Sequence, residues 1–588
     1  MSQGSGSVAN RLRMQLNREE GLRELDKVVL KYGYANGRKW SFKDHEFQIE
    51  IIRDTRSRIG VRKCSQVGLS ELMVQKTLAM CGTMQHTRVI FTLPTRDMAM
   101  PFSKDRFDSA IDQSDFYSGL VQKAQNSASQ KKIGTCTLYI TGSFGANSAI
   151  SVPAEVVISD EVDFSNEAVL GKLNSRLRHA SLVDEMGNRG IRMKFSTPTV
   201  EDYGVDAEFQ AGDQRFYMVK CRHCHTWVLP DFFHDFIVPG FDKGMLEFNR
   251  EDIRDTRYRI RDAYIKCSSC GKDLQDSLLD PERRQWVAKR PDVWDHSYQV
   301  YPWDVPKYNT PPAIIKQIGD YPLKSDFYNF VIGLPYSDAE NTFIVTDEHR
   351  RRTSDVQLWI YQQYIVTCQT VGGMDIGKTC HLIVKAKVGK HWHVVWAEKI
   401  RNTRDDPATP QVLARFDYYR MARLCIDAGP DITLVNNLVG ARPNITAVVY
   451  VQRVAGILPI AESAAGDVIN ADRTKTLSLT LAQHNAGEVH YPVKEELTKE
   501  IFAHLKTTKK IRQRGTDGDM VERFIKTDDT DHWVHALNYS TIAAMAVEDL
   551  GNAEIIGAAP MVGRVRVGSN RESAGGVPEG FSSERVGW

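Results

Sequence analysis

Residues 57–71 read SRIGVRKCSQVGLSE, a short β-rich run that meets the helical run LSELMVQKTLAMC through a loop containing Gly68. Such a strand–loop–helix is the setting of a phosphate-binding loop, which normally ends Gly-Lys-Ser/Thr with the lysine reaching the β- and γ-phosphates. Here the loop ends Gly68-Leu69-Ser70, and the nearest lysine, Lys63, stands at its front. Backbone N–H groups at a helix N-terminus attract phosphate whatever the side chains. The expectation is that Lys63, Ser65, Gln66, Val67, Gly68, Leu69 and Ser70 surround a triphosphate. Lys63 would neutralise it, with Arg62 in reserve, and the Ser70 hydroxyl would reach Mg²⁺. An ordinary strand–turn–helix would look the same, so the loop needs a companion.

The companion comes ninety residues after Ser70, where the apolar run Val156-Val157-Ile158 leads into Ser159-Asp160-Glu161. A buried strand ending in Asp-Glu is the second half of an ATP-hydrolysing site. Asp160 is expected in the Mg²⁺ shell, and Glu161 as the general base that orients and deprotonates the attacking water. Gln48, upstream of the loop, is placed to read adenine, and Ser196-Thr197-Pro198-Thr199 closes the next strand. Between 57 and 200, β-rich runs (RVIFTLPT, AEVVISDE, IRMKFSTPT) alternate with helical ones. Alternation of this kind predicts α/β architecture with a parallel sheet covered on its faces.

Further along, YMVKCRHCHTW and YIKCSSCGKDL each carry a Cys-x-x-Cys pair. Cys221, Cys224, Cys267 and Cys270 are expected to converge on one tetrahedral, structural Zn²⁺, with Gly271 easing the second turn. Four protein ligands leave no open position for a water. The other six cysteines are scattered, which is reduced, intracellular usage rather than a disulfide framework.

From residue 370 a second pattern begins. TVGGMDIG, HLIVKAKV and HWHVVWAEKI predict an antiparallel meander; RLCIDAG and ITAVVYVQ add strands, and helices are expected at 495–507 and 531–548. Asp375 lies within the first strand, Asp427 ends a later one, and Asp531 opens the last helix. Carboxylates among apolar strand residues need partners. Three of them in this order match an RNase H-like nuclease layout, in which acids hold two divalent cations, Mg²⁺ or Mn²⁺, across a scissile phosphate. Asp531 equally suits a helix N-cap, with Asp528 and Asp529 as competitors. The basic run 504–514 is either a grip on DNA phosphates or a solvated helix end and loop.

The 588 residues are too many for a single core, and a net charge of +2 neither demands nor excludes a polyanionic partner. No apolar run has membrane-spanning length, and the first residues lack a secretory signal's apolar core. No membrane association is therefore expected.

An ATPase half followed by a metal-nuclease half resembles the large subunit of tailed-phage terminases, most closely the lambda-type branch. The resemblance rests on Lys63 to Ser70, Leu93-Pro94-Thr95, Asp160-Glu161, Ser196-Thr197-Pro198, the cysteine pairs, Gly333-Leu334-Pro335-Tyr336 and Asp531-x-x-Val534-x-Ala536-Leu537. It spans roughly residues 40 to 545. The departure is Glu71, which follows Ser70 where a basic residue is expected.

The resemblance implies a RecA/helicase-like P-loop ATPase domain over 41–340 that includes a zinc-binding insertion over 215–275. A linker over 341–368 and an RNase H-like nuclease over 369–550 would follow. Residues 1–40 would contact a small terminase subunit, and the tail 551–588 the portal. It further implies an ATP-driven motor that moves double-stranded DNA into a procapsid in the host cytoplasm, as a ring of about five subunits on the portal. The same chain would cut concatemeric DNA. Two rivals are a helicase–nuclease of repair or restriction, against which no second ATPase set follows residue 200, and a non-enzymatic zinc-ribbon DNA-binding protein.

Overall fold

The computed structural model describes residues 22, 24–143, 152–337, 339–355, 368–403, 407–452, 454, 458–492, 495–514, 520–528 and 530–556. The expected small-subunit contact falls largely outside the described residues, as do the tail from 557 onward and linker residues 356–367. Contacts divide the chain into two units. The first takes residues 1–350, 484–486 and 500–531; the second takes 351–483, 487–499 and 532–588.

The first unit is built on an eleven-stranded sheet. Its strands are β1 (Arg58–Lys63), β2 (Arg88–Leu93), β3 (Val121–Asn126), β4 (Gln130–Ile133), β5 (Cys136–Gly142) and β6 (Val156–Asp160). After these come β7 (Ile191–Ser196), β8 (Arg215–Lys220), β9 (Trp227–Val228), β10 (Arg284–Ala288) and β11 (His296–Val300). The spatial order is β9-β8-β11-β1-β7-β6-β2-β5-β4-β3, with β10 paired to β8. From β8 to β5 the neighbours along this path run parallel. The strands β1, β2 and β6 are buried almost throughout, as continuous Val/Ile-rich runs covered on both faces must be. The loop strand β1 and the acidic strand β6 are not neighbours, because β7 lies between them. The chain therefore leaves β1 in one direction and returns on the other side, and ligands gather at the carboxyl ends of strands beside such a reversal.

Two helices frame that end: α1 (Gln48–Arg53) before β1, and α2 (Leu69–Thr83) directly after the loop. Twelve of the fifteen residues of α2 are buried, the polar Gln75, Lys76 and Thr77 among them, so the helix runs inside the α/β core. Beyond β8 a separate aromatic-rich cluster forms around Phe232, Phe236, Trp303 and Ile332 and includes Cys221 and Cys267.

The second unit holds a nine-stranded mixed sheet. Its strands are β12 (Ser354–Asp355), β13 (Thr370–Asp375), β14 (Thr379–Val388), β15 (His391–Arg401), β16 (Arg423–Asp427), β17 (Ile445–Val451), β18 (Ile460–Glu462), β19 (Val468–Asp472) and β20 (Val489–Pro492). The meander β13-β14-β15 is antiparallel, and β16 and β17 continue the other edge of β13 in parallel. Helices α3 (Thr409–Tyr418) and α4 (Ile432–Ala441) contribute Val412, Leu434 and Leu438 to one core, with Met374 and Ile426 of the sheet. A hairpin, β21 (Thr508–Arg514) with β22 (Met520–Lys526), then belongs by its contacts to the first unit.

The last helix, α5 (His532–Ile556), supplies Tyr539, Ile542 and Ala543 to a second core with Val371 and Cys425. The strand alternation explains the division: odd residues of β13 face α5, even residues face the other core. Gly373 is what lets α5 lie flat on the sheet, since a Cβ there would overlap backbone atoms of Ala536 and Ser540. Among the described residues no helix is long and apolar enough to cross a membrane.

Candidate active sites

A cavity of about 960 Å³ opens at the carboxyl end of β1. The loop residues Lys63 and Ser65 to Ser70 line it, together with Gln48 and Glu161. Lys63, buried at the end of β1, places its Nζ 3.0 Å from Glu161 Oε1. Burial works against its charge, but the carboxylates of Glu161 and Asp160 outweigh it and raise the amine's pKa. The other Glu161 oxygen accepts from Ser196 Oγ at 3.2 Å. Glu161 itself sits in the left-handed region, at φ 51°. Non-glycine residues adopt that region uncommonly, and the flanking hydrogen bonds hold Glu161 in it.

Asp160 is fully buried and accepts from the Ser70 hydroxyl and from the Glu161 N–H at 2.8 Å. Burial, with the adjacent Glu161 carboxylate, pushes its pKa to about 7 against the pull of Lys63 and Ser70. A buried serine–aspartate pair facing a phosphate loop fits a hard, oxygen-ligated cation such as Mg²⁺. Lys63, Ser70, Asp160, Glu161 and Ser196 therefore meet at one place although 133 residues separate the first from the last.

Gln48 is buried, and its Nε2 donates to the Val67 carbonyl at 3.1 Å. At the same end of the cavity stand Trp40, His45 and the exposed Tyr308, with the His45 and Tyr308 rings 5.8 Å apart. Sequence reasoning passed over Trp40 and Tyr308, since isolated aromatics outside a motif carry no signal of their own. Ser65 lines the cavity, yet its N–H and hydroxyl both donate to the Phe330 carbonyl, at 2.7 and 2.6 Å. It braces the loop instead of offering those donors inward.

Of the Gly333-Leu334-Pro335-Tyr336 stretch, Gly333 packs closely on the start of the loop. Gly333 has φ 78°, and a Cβ on it would come 2.5 Å from the Cys64 nitrogen. Glu71, the departure noted above, pairs with Arg106 at 2.6 Å, and both line the cavity. A cation does stand there, but it comes from another element.

The four cysteine sulfurs lie within 4.8 Å of one another, with Cys221–Cys270 and Cys224–Cys267 each at 3.8 Å. Four thiolates about 2.3 Å from a tetrahedral Zn²⁺ have that spacing. The two turns match: His225 N–H donates to the Cys221 carbonyl and Gly271 N–H to the Cys267 carbonyl, with φ 60° and 74°. The donor set fits a structural zinc.

In the second unit Met374 pairs with Ile426, so Asp375 and Asp427 follow side by side at the ends of neighbouring parallel strands, whose usual separation is about 4.8 Å. Both face α5. Asp375 Oδ2 lies 2.8 Å from His532 Nδ1. Asp427 accepts from the Tyr539 hydroxyl and from the Gly429 N–H at 3.3 Å.

Burial raises both pKa values, and His535 opposes the shift at each. Each carboxylate destabilises its neighbour's charge, so a cation between them would be welcome. Asp375, His381 and His532 also bring ligand atoms within 4.8 Å. His532 and His535, three apart on one helix face, were missed in the sequence because Asp531 already satisfied the expected pattern of acids. Asp531 immediately precedes α5, and its Oδ1 lies 3.9 Å from Lys526 Nζ within the first unit. Lys509 of the basic run is turned away from solvent, donating to the Glu201 carbonyl.

A phosphate loop and an Asp-Glu strand at the end of a parallel sheet define an ATP-hydrolysing enzyme. Residues 37–286 match the family described as "Phage terminase large subunit gpA, ATPase domain". The first unit is thus similar, over those residues, to the ATPase domain of phage terminase large subunits.

No curated protein sequence matches the chain. Among solved structures it is similar to the large terminase of bacteriophage HK97, at 11% identity and TM-score 0.47, covering 89% of this chain and 99% of that one. It is also similar to the large terminase of a thermophilic bacteriophage in complex with ADP, at 10% identity and TM-score 0.29, covering 85% and 98%. A third likeness is to the large terminase nuclease of thermophilic phage G20c with bound magnesium. There the identity is 17% and the TM-score 0.22, over 32% of this chain and 84% of that one.

Proposed function

We propose that the second unit is an RNase H-like nuclease that cuts concatemeric double-stranded DNA, while the first unit moves that DNA into a procapsid by ATP hydrolysis. The observation that carries the nuclease reading is the pair Asp375 and Asp427, ending adjacent parallel strands beneath His532 and His535 of α5. Divalent cations bound there would activate a water and steady the leaving oxygen of the scissile phosphate. Asp375 and Asp427 hold the charge, and His532 fixes the orientation of Asp375. For the third ligand, the 2.8 Å contact to Asp375 favours His532 over Asp531.

At the nucleotide cavity, Lys63 binds the terminal phosphates, and Ser70 with Asp160 holds Mg²⁺. Glu161 accepts the proton of the attacking water once ATP draws Lys63 away from it. Gln48 and Tyr308 receive the base. Cys221, Cys224, Cys267 and Cys270 hold a structural Zn²⁺ that closes the insertion. Double-stranded DNA, a small terminase subunit, a portal and a ring of like subunits in the host cytoplasm complete the reading.

The test is nicking of duplex DNA by the full chain with Mg²⁺ or Mn²⁺, beside ATP hydrolysis in the same preparation. Asp375→Ala should end nicking and spare hydrolysis; nicking at the wild-type rate would sink the nuclease assignment.

A further inference from the structure

The hairpin β21–β22 comes from residues 508–526, far along the chain from the phosphate loop, yet it is part of the first unit. Three contacts seat it. Lys509 donates through Nζ to the Glu201 carbonyl and lies 3.9 Å from Asp202. Lys510 N–H donates to the Asn341 carbonyl at 2.8 Å. Ile511 is buried against Val200 and Tyr203. Residues 200–203 directly follow Ser196 to Thr199, the stretch whose Ser196 hydroxyl holds Glu161. The hairpin is therefore bolted to the segment just behind the hydrolytic carboxylate.

The next residue, Arg512, lines the nucleotide cavity. A smaller adjoining hollow shares Phe164, Asp326, Phe330 and Arg512 with the main cavity. Phe164 lies three residues after Glu161, and the Phe330 carbonyl braces Ser65. The aromatic end around Trp40, His45 and Tyr308 contributes nothing to that hollow. Arg512 thus stands at the phosphate end.

Its side chain is about half exposed, and its Nε lies 3.3 Å from Glu522 Oε1 on the partner strand β22. An exposed pair of this kind is worth little, so a more highly charged phosphate can outcompete Glu522. A planar guanidinium suits a phosphoryl group better than an ammonium does.

We propose that Arg512 is a cation of the ATP site supplied by the hairpin: with ATP bound it leaves Glu522 for the terminal phosphate. Hydrolysis and phosphate release return it to Glu522. The first-unit segment 500–531 that carries the hairpin is flanked in the chain by residues of the second unit, 487–499 before it and 532 onward after it, so the exchange ties nucleotide state to a segment continuous in the chain with that unit. This rests on the assignment of the cavity as an ATP site.

The test measures binding of a non-hydrolysable ATP analogue and of ADP to the full chain, with steady-state hydrolysis. Arg512→Ala should weaken the ATP analogue at least about tenfold, leave ADP within about twofold, and lower kcat by about 100-fold or more, an arginine contact to a transferring phosphoryl group having effects of 10³–10⁵ in other enzymes. Arg512→Lys should recover part of the ATP preference, and Glu522→Gln should tighten the analogue without changing ADP. These last two variants keep the test open if Arg512→Ala misfolds. Unchanged discrimination between ATP and ADP in either arginine variant overturns the proposal, as does equal weakening of both nucleotides. Lys63→Ala separates the two levels: if it too binds ATP normally, the cavity assignment fails and not merely the role of Arg512.

Discussion

The nucleotide cavity and the acidic centre solve the burial of charge in opposite ways. In the first, each acid meets a donor: half-buried Glu161 has Lys63 and Ser196, and buried Asp160 has Ser70. The site is assembled without ligand, and ATP has only to exchange one partner for another. In the second, two carboxylates at neighbouring strand ends face imidazoles and a phenol, with burial pressing both toward the neutral form. A divalent cation, as proposed, would relieve that strain. A pre-paired site suits exchange of partners, while an under-neutralised one favours a cation between its carboxylates.

The comparison breaks most sharply with one substitution on each side. Lys63→Ala should cut ATP hydrolysis at least about 100-fold, while Asp375→Ala should abolish metal-dependent nicking and leave hydrolysis within about twofold. Parallel rate measurements on one preparation check both, and loss of both activities in either variant would show the centres are not separable.

A third cluster sharpens the contrast, because its four cysteine sulfurs lie within 4.8 Å of one another. Cys270→Ser should lose zinc, read by metal analysis of the purified chain, and should loosen the core around Phe232 and Trp303. Nicking by the second unit should persist.

The two tight glycines make a matched pair. Gly373→Ala should push α5 off β13 and destabilise the second unit by about 3 kcal/mol, the upper end for overpacking. Gly333→Ala should act on ATP affinity, through the phosphate loop it touches. Denaturant titration and nucleotide binding distinguish the two outcomes.

pH separates the units as well. His484, buried in the first unit, has its pKa lowered from 6.5 to about 4 by burial. A group whose folded pKa lies below its unfolded value stabilises fully above that unfolded value and loses the contribution as pH falls toward the folded one. The first unit should therefore weaken over that window by about 3 kcal/mol, and His484→Gln should flatten the profile measured by denaturation at several pH values. The smallest effect concerns the third ligand. His532→Ala should weaken Mn²⁺ binding about tenfold and Asp531→Ala by less, read by calorimetry on the full chain.

Much of this was readable in one dimension. The runs TVGGMDIG, HLIVKAKV and HWHVVWAEKI became β13, β14 and β15, and RLCIDAG and ITAVVYVQ became β16 and β17. Buried strands and helices announce themselves because burial imposes a period on apolar residues. The hairpin β21–β22 is legible in the sequence only as a basic stretch, since a single apolar residue, Ile511, among Lys, Arg and Gln does not reveal a strand. The role of Arg106 beside Glu71 was likewise out of reach: 35 residues separate them, and nothing in the spacing predicts the contact.

The sequence by itself determined the parallel α/β layer, the phosphate loop, the Asp-Glu strand and the cysteine knuckles. Each of these is a local pattern, dictated by the period of apolar residues or by the short reach between two ligands. Only the tertiary structure decided that Lys63 meets Glu161, that Asp375 and Asp427 both meet the helix that carries His532, and that Arg512 lines the nucleotide cavity. Those meetings join residues far apart in the chain. They depend on strand order and on the docking of whole elements, which cooperative packing of the core decides and local sequence does not.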